Sequence, residues 1–259
     1  MAFLSTRIKH FSIAVGLYRP ARRLSRTIRP HERRSYRGDV DLYCSLLPRG
    51  ALSFDVGANI GEKSEALLRT GARVVAFEPN PLVVPELRAR CGANKAWTLV
   101  EAALGSGPSI AILHAHRSHG QSSFADGWGV DEVVASFPVP VLTLDAAIEC
   151  FGLPDYCKID VEGWEPEVLN GLTQPIHLIS FEFHLDEKGV RNARSCLERL
   201  AKFGPSLLNI TPAESSTFHF KEWVSLEEFL KQFPGNVMHS LPGNPYGDMF
   251  VRRLAPVPE

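Results

Sequence analysis

The stretch FDVGANIGEKS, Phe54 to Ser64, constrains the fold more than any other. It joins the apolar run ALSFDV (Ala51–Val56) to a helix-like segment, Glu62–Thr70, through a turn carrying Gly57, Asn59 and Gly61. A short apolar run that ends in a glycine turn and re-emerges as helix marks a βαβ unit, whose parallel strands are buried on both faces. After a break at Gly71 comes a second run, RVVAFE (Arg73–Glu78), then a proline-led helical segment ending at Gly92 and a third strand, Trp97–Leu104. This βαβαβ opening predicts a doubly wound, mostly parallel α/β sheet.

The alternation pauses in the middle of the chain. SIAILHAH (Ser109–His116) and VPVLTLD (Val139–Asp145) read as strands around the polar stretch RSHGQSSFADGWG, which predicts an inserted β-hairpin with a lid-like loop over the site. Strands then recur at DYCKIDV, IHLISFEFH, SLLNIT and DMFVRR. Helices fall at Glu165–Leu172, Arg191–Phe203 and Ser225–Phe233, the last opened by the capping box SLEE. The reading is seven strands in one domain over residues 39–259, preceded by a basic extension over 1–38.

Charge is distributed unevenly along the 259 residues. Residues 1–37 hold ten basic side chains and one acid, a balance of +9, so the remainder carries −10 behind a net charge of −1. Two readings of the arm stand: a peripheral membrane contact, since Phe3, Leu4, Ile8 and Phe11 intersperse the charges, or a helical extension packed on the domain or on a second subunit. Arg7, Lys9 and His10 interrupt any signal-peptide core. No run of about 18 apolar residues predicts a spanning helix. Five cysteines without a CxxC pair suggest reduced thiols in a cytoplasmic protein. Oligomeric state is left open.

The glycine turn departs from a dinucleotide fingerprint. Gly57 and Gly61 lie four apart, Asn59 stands where a second glycine would be, and Asp55 precedes the turn. A carboxylate there repels a pyrophosphate and welcomes a cation. Glu78, at the end of the second strand, is placed to accept hydrogen bonds from a ribose diol. A ribose acceptor beside a cation-tolerant turn points to S-adenosyl-L-methionine; the bland alternative is that Asp55 and Glu78 only cap helices.

FDVGANIGEKS, VVAFEPNP, EAALGSG, the serine pair of HGQSSF, VPVLTLD, KIDVEGWEPEVLNG and ISFEFH occur in that order between Ser53 and His184. With them the chain resembles the FkbM family of class I S-adenosylmethionine-dependent methyltransferases. The resemblance implies a Rossmann-like seven-stranded sheet whose last strand is antiparallel, and O-methylation of a hydroxyl on a glycan, glycolipid or secondary metabolite. It also implies that Asp55, Gly57, Asn59 and Gly61 line the methionine end of the cofactor. Glu78 would hold the ribose, and Asn80 and Ala103 would border the adenine. Trp164 departs from the small residue common in the family's EGxE, which would narrow the acceptor side.

Methyl transfer to an alcohol requires loss of the hydroxyl proton, for which an ordinary carboxylate is a weak base. KIDVEG places Asp160 and Glu162 at the end of the fourth parallel strand, and FEFH places Glu182 and His184 on one face of the fifth. These four are the candidate catalytic residues. Either a divalent metal on this set or His184 as direct base would serve, and no metal is favoured. Lys158 is read as a neutralising partner of Asp160 or Glu162. His114, His116 and His119 fit no preferred metal spacing, whereas Ser122 and Ser123 are placed to touch ligand from the loop, and Trp128 to give it an apolar face. The competing readings are a nucleotide-binding oxidoreductase and a catalytically silent cofactor-binding scaffold. The acidic body argues against a nucleic-acid partner and leaves a small-molecule or glycan acceptor.

Overall fold

The computed structural model describes residues 30–116, 124, 132–213, 215–235, 237 and 246–254. It opens with helix α1 (Pro30–Leu46), which runs unbroken across position 38, and continues through β1 (Leu52–Val56), α2 (Glu62–Arg69), β2 (Arg73–Phe77), α3 (Val84–Cys91) and β3 (Trp97–Val100). Next come β4 (Ala103–Leu104), β5 (Ser109–His116), β6 (Val133–Leu142) and α4 (Leu144–Phe151). The last part is β7 (Tyr156–Ile159), α5 (Glu165–Asn170), β8 (Leu178–His184), α6 (Glu187–Ala201), β9 (Ser206–Pro212), β10 (Val224–Ser225), α7 (Leu226–Gln232) and β11 (Tyr246–Arg253).

The main sheet has the order β10-β9-β11-β8-β7-β1-β2-β3. Strands β3, β2, β1, β7 and β8 are mutually parallel, while β11 inserts antiparallel between β8 and β9. This is the expected class I topology, widened at one edge by the two-residue β10. Three expectations need correction. Trp97–Leu104 is not one strand: it breaks after Val100, and β4 joins a separate sheet of order β4-β6-β5. Thr143 does not extend a strand, because its Oγ1 accepts from Ala146 N and caps α4 (3.0 Å). Helix α6 starts four residues earlier than its periodicity suggested, since Asp186 accepts from Gly189 N (2.9 Å). In the latter two, a local side-chain cap outweighs the apolar pattern.

The central strand β1 is buried along its whole length, so its alternation separates two cores. Phe54, Val56, Phe77, Ile159 and Phe181 pack with α4 and α6 on one face; Val74, Ala76, Tyr156, Leu178 and Phe250 pack with Tyr43 and Leu47 near α1 and Ala66 and Leu67 of α2 on the other. Among the described residues no helix is long and apolar enough to cross a membrane.

Candidate active site

Period-two alternation lays a polar row on the α1/α2 face. In register, Asp55 of β1 neighbours Lys158 of β7, Lys158 neighbours Ser180 of β8, and Glu182 neighbours Asp248 of β11. Helix α2 covers the row with Ser64, whose Oγ donates to Asp55 Oδ2 (2.6 Å), and Lys63, whose Nζ pairs with Asp39 of α1 (2.9 Å). Charges this deep are costly unless paired, and carboxylates outnumber ammonium groups here. Burial accordingly raises the pKa of both Asp55 and Asp248, even though Lys158 pulls each down.

The turn after β1 passes against the end of β7. Gly57 has φ 79°, and a Cβ there would sit 1.8 Å from the Asp160 carbonyl oxygen, so no side chain fits. Asn59 is also left-handed, at φ 50°. Glu78 continues past β2 and knits this turn to the next: Oε2 accepts from Asn59 N (2.6 Å) and Oε1 from Asn80 N (2.8 Å). Burial pushes the Glu78 carboxyl up to about 7 despite these bonds. Each oxygen keeps a lone pair for a further donor. Among the described residues, Asp55 Oδ1 and Asn59 Oδ1 are buried acceptors without a hydrogen-bonded donor. These acceptors, beside a cradle that excludes Cβ atoms, fit a ligand with an ammonium or sulfonium group and ribose hydroxyls. Gly61 closes the turn before α2, Asn80 is buried beside Glu78, and Ala103 is buried in β4 against Val141 of β6.

All four candidate catalytic residues come together. Lys158 Nζ lies 2.7 Å from Asp160 Oδ2, the pairing expected for that lysine. Burial would raise Asp160, but the Lys158 ammonium holds it below its ordinary range. Glu182 is raised to about 8 by burial and by the charge of Asp160. His184 Nε2 meets Glu182 Oε2 at 3.2 Å, and this contact lifts the imidazole above its usual value against the effect of burial. Glu182 and His184 therefore titrate together, each influencing the other's proton. Glu162, at φ 55°, completes a group in which Glu162, Glu182 and His184 offer ligand atoms within 4.8 Å of one another. The His184 ring stacks on Tyr246 of β11 (5.7 Å between centroids).

Sequence reasoning missed Lys63, Asp39, Tyr246 and Asp248. A charge at an inward position of the final strand was the legible signal for Asp248; pairing across 24 residues left none for Lys63 and Asp39. Phe124 packs on Trp164 (5.4 Å), so the bulky departure in EGWE does face the hairpin loop. His114 Nδ1 meets Ser136 Oγ (3.0 Å) on the hairpin, where His116 is buried. His119, Ser122, Ser123, Trp128 and the basic arm over 1–29 lie outside the described residues.

The pattern of the methyltransferase FkbM domain matches residues 55–229. A hexuronic acid methyltransferase, AglP of Haloferax volcanii, is 29% identical over 153 residues, covering 57% of this chain and 62% of AglP. The chain thus spans less than two thirds of that relative's length. Among solved structures, an O-methyltransferase from Bacillus cereus in complex with SAH is similar at TM-score 0.46 and 14% identity, covering 83% of this chain and 80% of that one. Fibrillarin from Aeropyrum pernix is similar at TM-score 0.45 and 8% identity, with coverages of 84% and 75%.

Proposed function

This chain belongs to the FkbM methyltransferase family, and from that premise we propose that it transfers a methyl group from S-adenosyl-L-methionine to a hydroxyl of a sugar-containing acceptor. The observation that carries the acceptor chemistry is the Glu182–His184 pair, 3.2 Å apart at the carboxyl end of β8, beside Asp160 and Glu162. Open α/β sheets bind ligands at this edge.

The residues assign themselves to two halves. Asp55 Oδ1 and Asn59 Oδ1 accept from the cofactor's ammonium end, while Glu78 takes the ribose and Asn80 and Ala103 border the adenine. When bound, the cofactor supplies an electrophilic methyl on a sulfonium. His184, unprotonated and oriented by Glu182 and by stacking on Tyr246, takes the acceptor hydroxyl proton as the oxygen attacks in line. Lys158 keeps Asp160 ionised and turned away from acting as the base.

A hydroxyl suits this end better than a carboxylate. A uronate carboxylate needs no base, and Asp160 and Glu162 would repel it. The test is transfer of labelled methyl from the cofactor to neutral sugars and to hexuronic acids, followed by mild alkali. A methyl ether survives alkali and a methyl ester does not, so alkali-labile label would overturn the hydroxyl assignment. The 4.8 Å spacing of Glu162, Glu182 and His184 favours one second reading, a divalent cation that acidifies the hydroxyl. Turnover that persists in a strong chelator removes it.

A further inference from the structure

Glu165 begins α5 and is 4% exposed, next in sequence to Trp164 and behind the acidic group. Its Oε1 accepts from two backbone donors, Val161 N at 3.2 Å and Gly163 N at 3.1 Å. The residues so gathered have an uncommon backbone: Glu162 at φ 55° and Gly163 at φ 92° are left-handed in succession. For Glu162 that conformation costs about 1–2 kcal/mol, so it persists only where neighbours impose it. A second constraint arrives from α6, where Asn192 Nδ2 donates to Gly163 O at 3.0 Å.

We infer that Glu165 is a positioning residue, holding the Val161–Gly163 turn so that the Glu162 carboxylate is presented to Glu182 and His184, with Asn192 clamping the same turn from α6. The inference rests on the proposed function in one respect, that Glu162 acts at the acceptor end. The role of Glu165 is to accept hydrogen bonds rather than to carry charge. Burial raises its carboxyl to about 7, and a neutral amide oxygen can accept the same two N–H groups.

Three variants test this. Because a misplacement of order 1 Å can cost about a hundredfold in rate, Glu165→Ala should lower kcat roughly 10- to 100-fold. Its calorimetric affinity for S-adenosylhomocysteine should stay within about twofold, since none of the cofactor acceptors is touched. Glu165→Gln should recover most of the lost kcat. A second readout needs no acceptor: Trp164 emission, taken as the difference between each protein and its Trp164→Phe counterpart, should shift to the red in Glu165→Ala and hold in Glu165→Gln. It remains readable if the hydroxyl-acceptor assignment fails, which separates the two failures. Undiminished kcat or unshifted Trp164 emission in Glu165→Ala overturns the inference, as does a Gln variant as impaired as the Ala variant. If Glu165→Ala does not fold, Asn192→Ala removes only the clamp on Gly163 O. It should lower kcat several-fold at unchanged S-adenosylhomocysteine affinity, and undiminished kcat there is equally decisive against it.

Discussion

Replacing Glu78 by Gln should change stability in a pH-dependent way while weakening cofactor binding. Burial raises the Glu78 carboxyl from an ordinary 4.5 to about 7, a difference worth about 3 kcal/mol at 1.36 kcal/mol per pKa unit. The sign follows from linkage: the folded state binds this proton more tightly than the unfolded state. The associated stability is therefore complete below pH 4.5 and is lost as pH rises through 7. A glutamine cannot ionise, so it carries no such slope. It does leave one of the two backbone donors, Asn59 N or Asn80 N, facing an amide NH2, at a pH-independent cost of about 1–3 kcal/mol. Urea unfolding from pH 5 to pH 8 should thus show Glu78→Gln less stable than the parent at pH 5, then gaining on it by about 3 kcal/mol by pH 8. Calorimetry at pH 8 should show S-adenosylhomocysteine binding weakened about 10- to 100-fold, the loss of hydrogen bonds from a ribose diol to a charged acceptor. Donation from the diol favours the ionised carboxylate, so binding at pH 7 should release a fraction of a proton in the parent, seen as an enthalpy that depends on the buffer, and less in the variant. A stability gap that stays constant across pH, with affinity unchanged, would refute the placement of Glu78 as a buried carboxylate that awaits the ribose.

Other perturbations have equally definite outcomes. Lys158→Met leaves the buried Asp55 and the half-buried Asp160 without their cation, and should destabilise the chain by about 3–5 kcal/mol in urea unfolding. Gly57→Ala drives a Cβ into the Asp160 carbonyl; binding of S-adenosylhomocysteine should be abolished or nearly so by calorimetry. The rate should rise with pH through the titration of the Glu182–His184 pair, with Glu182 raised to about 8 and His184 above its usual value, to a plateau where His184 is unprotonated. In Glu182→Gln the bond and charge that lift His184 are weakened, so this limb should move to lower pH while kcat falls; a limb that stays in place removes His184 as the base.

Most of the parallel strands were legible because they are short apolar runs closed by a glycine or an acid, as ALSFDV and RVVAF are. The same apolar logic misled at Trp97–Leu104, where continuity of hydrophobic residues hid a change of sheet after Val100. Helix α4 was hidden in the same way, since TLD continues an extended pattern until the Thr143 side chain turns inward to cap it. A helix packed on the domain was one of two readings of the basic arm, and the charge run left its bounds open: α1 runs past position 38 to the buried Tyr43 and is followed by the buried Leu47.

In the site, residue types and spacing along each strand already paired Glu182 with His184 and set Asp160 and Glu162 beside them, because period two is a local property of the backbone. What the sequence by itself determined is therefore the chemistry on offer: a cation-tolerant glycine turn, an acid at the end of the second strand, and carboxylates with a histidine at adjacent strand ends. The tertiary structure decided which of these are charged and which way they point. Burial beside Asp160 raises Glu182, Lys158 holds Asp160 ionised, and Glu165 accepts two backbone N–H bonds from the turn that carries Glu162. Those outcomes depend on distances between strands and on the loss of water from around each group, and neither quantity is carried by residue order alone.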